Sequence, residues 1–147
     1  MKRLIGLLFI LMVVISGTFY LVMGSSKAKL TEPVEMNKVN DDFILHVRAE
    51  RTDQGFQVLR SLEYKGEEQI TIMHRTPLIS ISVEYDKPRF TGSPVTQTLD
   101  PGDVYYPQEP RVYSSLEKGE YTLFANGQFY FNGQIINIKS EETIQFQ

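Results

Sequence analysis

Cysteine is missing from all 147 residues, and its absence removes several possibilities at once. No disulfide can staple the chain, no thiolate can bind a metal or attack a substrate, and no cysteine follows the leader to carry a lipid. The fold must be held by packing, a composition that suits a bacterial surface protein better than a secreted animal one. Histidine is nearly as scarce, with only His46 and His74 present and no H-E-x-x-H spacing between them. Alternation places His46 on an outer face beside Arg48 and His74 in line with Ile70 and Ile72, so both read as structural and no metal is expected.

Catalytic frames are lacking too. There is no G-x-S-x-G elbow, no phosphate loop and no dinucleotide fingerprint. The carboxylate pairs Asp41-Asp42, Glu67-Glu68 and Glu141-Glu142 are each adjacent in sequence, in what read as polar turns or linker, where solvated acids are the ordinary expectation. Asp100 and Asp103 bring too few oxygens for calcium. We therefore expect no catalytic residue and no cofactor, and a chain that is not an enzyme.

Positive charge is also short where it would matter for nucleic acid. Four of the fifteen Lys and Arg (Lys2, Arg3, Lys27 and Lys29) lie in or beside the leader, which leaves eleven against eighteen acids, a net charge of −7 for the remainder. Such a surface repels phosphate backbones and anionic headgroups, and no Lys/Arg run offsets it locally.

What the sequence does contain begins with an apolar run. Met1-Lys2-Arg3 is a short positive start, and Leu4 to Met23 then continues for twenty residues without a charge. As a helix rising about 1.5 Å per residue, that run reaches about 30 Å, the thickness of a bilayer's hydrocarbon core. Residues 1–24 are accordingly expected to be a signal-anchor or transmembrane helix, with the Lys/Arg bias holding the C-terminal domain outside. The alternative is a cleaved signal and a secreted protein, using Val22-Met23-Gly24 or Ser26-Lys27-Ala28 as an imperfect cleavage site. Residues 25–40 read as a polar linker, and 41–147 as a single domain of ordinary size.

The domain reads as all-β. Phe43, Leu45, Val47 and Ala49 alternate with polar neighbours, as do Phe56, Val58, Leu62 and Tyr64, with Arg60 the one inward misfit. Asp53-Gln54-Gly55 joins these two strands as a hairpin. Ile70, Ile72 and His74 form a further strand, Pro77 marks a kink or an edge, and Ile79, Ile81, Val83 and Tyr85 resume the pattern. Asp100-Pro101-Gly102-Asp103 suits a type II turn, and both Asn126-Gly127 and Asn132-Gly133 suit hairpin turns. Seven to eight short strands without a convincing helix predict an antiparallel sandwich.

Leu116, Gly119 and Tyr121, in Leu116-Glu117-Lys118-Gly119-Glu120-Tyr121, resemble the tyrosine corner of immunoglobulin-like and fibronectin-type-III sandwiches. By that resemblance the Tyr121 hydroxyl bonds back to nearby backbone. Together with Leu99-Asp100-Pro101-Gly102, this stretch also resembles segments of small bacterial immunoglobulin-like domains, among them the intracellular proteinase inhibitor family of bacilli. The resemblance covers the C-terminal part of the chain. It implies an immunoglobulin-like fold, and it makes proteinase inhibition an alternative activity, although the export leader and the lack of tryptophan depart from that family.

For binding, the segment from Val104 to Tyr113 stands out, because Pro107 and Pro110 stiffen a connection flanked by tyrosines. Tyr105, Tyr106, Pro107, Arg111 and Tyr113 are the candidate contact residues, since tyrosine and arginine commonly anchor interfaces and proline lowers the entropy lost on docking. The expected function is a membrane-tethered extracytoplasmic binding or accessory module. Its expected partner is another cell-envelope or extracellular protein, with no nucleic acid and with the membrane contacted through the N-terminal helix; the alternative is an inhibitor presenting Tyr105 to Tyr113.

Overall fold

The computed structural model describes residues 28–147, and the expected leader, residues 1–24, lies outside them. Strands dominate: β1 (Val34–Asn40), β2 (Phe43–Thr52), β3 (Gly55–Tyr64), β4 (Ile70–Arg75), β5 (Ile79–Val83), β6 (Pro94–Leu99), β7 (Val104–Tyr105), β8 (Arg111–Ser114), β9 (Gly119–Phe131) and β10 (Gln134–Phe146). They form two five-stranded antiparallel sheets. The first runs β1-β2-β3, with β7 and β8 both on the far edge of β3; the second runs β10-β9-β4-β6, with β5 also on β9. Ten segments replace the seven to eight strands expected, because β1 forms in the stretch read as linker and the far edge of β3 is made of two short pieces in series. The break between β4 and β5 falls at Pro77, whose ring leaves no ladder donor.

One hydrophobic core lies between the sheets. The alternation read from β2 holds, with Phe43, Leu45, Val47 and Ala49 buried, and β9 answers with Leu123, Ala125 and Phe129. Phe43 and Phe129 meet edge to face at 4.7 Å between ring centroids, and Phe56 meets Phe146 in the same manner at 5.3 Å. His74 is buried in this layer, where its Nδ1–H donates to the Arg75 carbonyl at 2.9 Å and its Nε2 accepts from the Tyr105 hydroxyl at 3.1 Å. His46 sits on the outer face of the first sheet, between Asn37 Oδ1 at 2.6 Å and Glu63 Oε2 at 2.7 Å.

The turns read at Asp53-Gln54-Gly55, Asp100 to Asp103 and Asn132-Gly133 are present, and two others are strand instead. Gly102 takes φ 86° at the third position of its turn, and Asp103 N–H closes that turn on the Asp100 carbonyl at 3.0 Å. Asn132 and Gly133, at φ 49° and 75°, make the two-residue hairpin between β9 and β10. Asn126-Gly127, by contrast, is no turn. It lies mid-strand in β9, paired with Ser80 and Ile79 on one side and with Lys139 and Ile138 on the other, so two neighbouring strands override a local turn preference. Glu141-Glu142 is likewise strand rather than turn, because pairing with Phe124 and Leu123 carries β10 through it.

The N-terminal boundary also moves. Residues 25–40, read as a polar linker, contain β1, which pairs with β2 along its whole length from Val34↔Ala49 to Asn40↔Phe43. Just before it, Thr31 N–H donates to the Gln145 carbonyl at 2.8 Å, and Lys29 and Gln147 exchange bonds of 2.8 and 3.0 Å. The chain therefore pairs first with β10 of one sheet and then with β2 of the other, and so closes one side of the gap between the sheets. Leu30, in the crossing, is buried. The alternating pattern that reveals a half-buried strand is nearly absent from β1, which buries only Met36.

The Tyr121 hydroxyl donates to the Glu117 carbonyl at 3.2 Å, across the turn that leads into β9. The ring packs edge to face on Phe146, and Gly119 lies beside it. Tyr121→Phe should lower stability by about 1 kcal/mol, the usual net worth of one such hydrogen bond at a half-buried site. Denaturant titration followed by tyrosine fluorescence measures it, and an unchanged midpoint would show that the bond contributes nothing.

Candidate functional site: a cationic cleft between two strand edges

Opposite the side closed by the N-terminal chain, the sheets do not meet. β5 ends the second sheet there and β8 ends the first, and between them lies a cleft of about 940 Å³. Phe56 and Ile79 form part of its apolar wall, with Leu116 beside them. The polar wall contains Arg60, Lys87, Arg89 and Arg111 and no carboxylate. Four of the twelve Lys and Arg of residues 28–147 thus gather at one opening of a domain whose overall net charge is −6. None of the four takes part in a salt bridge among the described residues.

Each cation arrives by a different route. Arg60 is placed by the alternation of β3, whose even-numbered residues face inward, and it occupies the stretch where β3 has no edge partner, between β8, which pairs Gly55 to Val58, and β7, which pairs Leu62 and Glu63. Arg111 opens β8 and lies over the Tyr113 ring at 4.9 Å from its centroid. Lys87 and Arg89 come from the loop after β5. That loop is tied down by backbone N–H groups donating to the serine hydroxyls of the strand, Lys87 to Ser82 at 3.3 Å and Arg89 to Ser80 at 3.0 Å.

Two polar atoms at this cleft are buried without a hydrogen-bond partner among the described residues, Arg60 Nε and the Tyr113 hydroxyl. Burial holds the pKa of the Arg60 guanidinium below its ordinary value, with Tyr113 opposing and the charge of Arg111 adding to the effect. Burial likewise pushes the Tyr113 phenol up, with Arg111 and Arg60 opposing. Since an unpaired buried polar group is normally destabilising, Arg60 is a poor choice for the fold alone. Arg60→Met, which keeps the aliphatic stem, should leave stability unchanged or raise it by up to about 1 kcal/mol. A clear loss in a urea titration would mean that the guanidinium already serves the fold.

The segment chosen from sequence divides around this cleft. Arg111 and Tyr113 line it, the latter stacked on Phe56 at 4.9 Å with the rings 10° apart. Tyr105 turns inward to His74 instead, where burial pushes its phenol up. Tyr106 is 71% exposed, and it lies with Pro107 over a smaller pocket of about 380 Å³ beside Leu59. The three tyrosines therefore do not form one patch. Of the corner residues, Leu116 reaches the cleft, whereas Gly119 and Tyr121 serve the turn.

Sequence reading missed Lys87 and Arg89 altogether. For Arg60 it had the signal, an arginine on the inward face of a strand, without an interpretation. No protein-family model, curated protein or solved structure matches this chain. The reading of the cleft rests on its own chemistry.

Proposed function

We propose that this chain is a non-catalytic, membrane-tethered extracytoplasmic binding module, built as an immunoglobulin-like or fibronectin-III-like sandwich, whose cleft between β5 and β8 receives another envelope or extracellular protein. The carrying observation is the gathering of Arg60, Lys87, Arg89 and Arg111 around one concavity with no acid among its lining residues. Cations placed together repel one another, and uncompensated buried ones destabilise a fold, so their convergence is best explained by a ligand that neutralises them. The Tyr121–Glu117 bond supports the immunoglobulin-like assignment. The apolar run Leu4 to Met23 supports the tether.

Photo-crosslinking residues introduced at Thr91 or Ser115, both in the cleft wall, should capture a defined adduct on intact cells. The same residue at Gln134, in the hairpin joining β9 and β10, should capture none. Equal capture from all three positions would remove the cleft as the binding site. Protease added outside intact cells should digest the domain, and a domain that resists digestion until lysis would overturn the extracytoplasmic placement. Inhibition of a proteinase through Tyr105 to Tyr113 is the weaker alternative, because of its three tyrosines only Tyr106 is exposed, and Tyr105 and Tyr113 are partly buried.

A further inference from the structure

The floor of the cleft is a strand edge, and its hydrogen-bonding pattern states what it lacks. Leu78 accepts from Gln128 N–H at 3.0 Å and Glu84 N–H donates to Thr122 at 2.7 Å, so the even-numbered residues of this stretch direct their backbone groups toward β9. In an antiparallel ladder the intervening residues point the other way. Ile79, Ile81 and Val83 thus aim their N–H and C=O groups into the cleft. Ile79 N–H is taken by Gln108 Oε1 at 3.3 Å, and no partner for Ile81 or Val83 N–H occurs among the described residues.

We infer that the free edge of β5 takes an extended acidic peptide as an added strand, its carboxylates received by Arg60 and Arg111 on one face and by Lys87 and Arg89 on the other. This rests on the cleft being the binding site, and it names the ligand and the mode. Successive side chains of a strand point to opposite faces of its sheet. For a strand added to β5, one set would point inward to the first sheet, where Arg60 and Arg111 stand. The other set would point outward, beneath the loop that Ser80 and Ser82 hold in place. Both faces would meet positive charge.

Alternative explanations of the cations fit less well. Lysines often guard exposed edges against aggregation, but Arg60 and Arg111 belong to the opposing sheet and guard nothing on β5. A small anion would satisfy the charges and leave the ladder groups unused, in a cleft of about 940 Å³ that is far larger than it needs. An extended segment of five residues, about 17 Å long, uses both the edge and the charge.

The test uses the full chain in nanodiscs of zwitterionic phosphatidylcholine. The probe is a capped peptide of alternating glutamate and valine, compared with its glutamine counterpart, with a version N-methylated at alternate residues, and with inorganic phosphate and citrate. The acidic peptide should bind at least tenfold more tightly than the glutamine and N-methylated forms, weaken as salt rises, and slow amide exchange at Ile81 and Val83. Lys87→Glu with Arg89→Glu, both on an exposed loop where folding is not at stake, should reduce its affinity at least tenfold; Arg60→Glu with Arg111→Glu should do the same.

Phosphate or citrate competing fully, with Ile81 and Val83 unprotected, would overturn strand addition in favour of a small-anion site. Protection of those amides that grows with protein concentration alone would make a second copy of the chain the occupant and overturn the acidic peptide. If no peptide binds while crosslinking from Thr91 and Ser115 persists, strand addition falls and the binding-module reading stands. Loss of both removes both.

Discussion

Phe129→Ala should lower the free energy of unfolding by about 3–5 kcal/mol, a large part of the 5–15 kcal/mol available to a domain of this size. The residue is fully buried on β9, where it sits edge to face with Phe43 across the gap between the sheets. Removing the ring deletes apolar area and leaves a void that two paired sheets cannot close by shifting, so transfer and cavity terms add. An aromatic contact of this geometry contributes about 0.5–1.5 kcal/mol beyond burial. Ile135→Ala on β10, at a residue 51% exposed, should change stability by less than about 0.5 kcal/mol and provides the control. Urea titration followed by tyrosine fluorescence decides the matter, and a loss below about 1.5 kcal/mol would show that the sheets are not joined through this ring.

The same contrast explains how much of the fold was legible. Where a strand is buried on one face and solvated on the other, the sequence carries a period of two, and β2 and β3 were readable along their length, Arg60 apart. Where a strand is covered on both edges, pairing overrides local preference. Asn126-Gly127 has the chemistry of a hairpin turn, yet β5 and β10 flank it and hold it in the ladder. Short edge pieces such as β7 and β8 carry almost no periodicity, because two to four residues cannot display one.

The cleft was legible only in fragments for a related reason. Its cations come from β3, from β8 and from the loop after β5, stretches brought together by the pairing of two different sheets. No local spacing links Arg60 to Lys87 or Arg89. The readable sign was the single inconsistency, an arginine where alternation demanded an apolar residue. Proline and tyrosine content drew attention to Tyr105 to Tyr113, and two of those residues do line the cleft, but composition could not show that Tyr105 turns inward to His74.

A chain beginning at Asp41, the boundary drawn from sequence, should fail to fold at 37 °C, whereas one beginning at Ala28 should fold. The longer version keeps Leu30, 1% exposed, and Met36, 4% exposed, both in the core. Losing either side chain alone would cost about 2–5 kcal/mol, and losing β1 also strips every ladder bond from the outer edge of β2. The combined loss approaches the whole stability of the domain. Dispersion of backbone amide signals in an NMR spectrum would distinguish the two products, and a well-dispersed spectrum from the shorter chain would restore residues 28–40 to the status of linker. The outcome bears on function through geometry. If Leu4 to Met23 spans the bilayer, only Gly24 to Lys27 separates it from the folded domain, a tether of roughly 14 Å when fully extended. On such a tether the domain would reach only partners near the membrane surface.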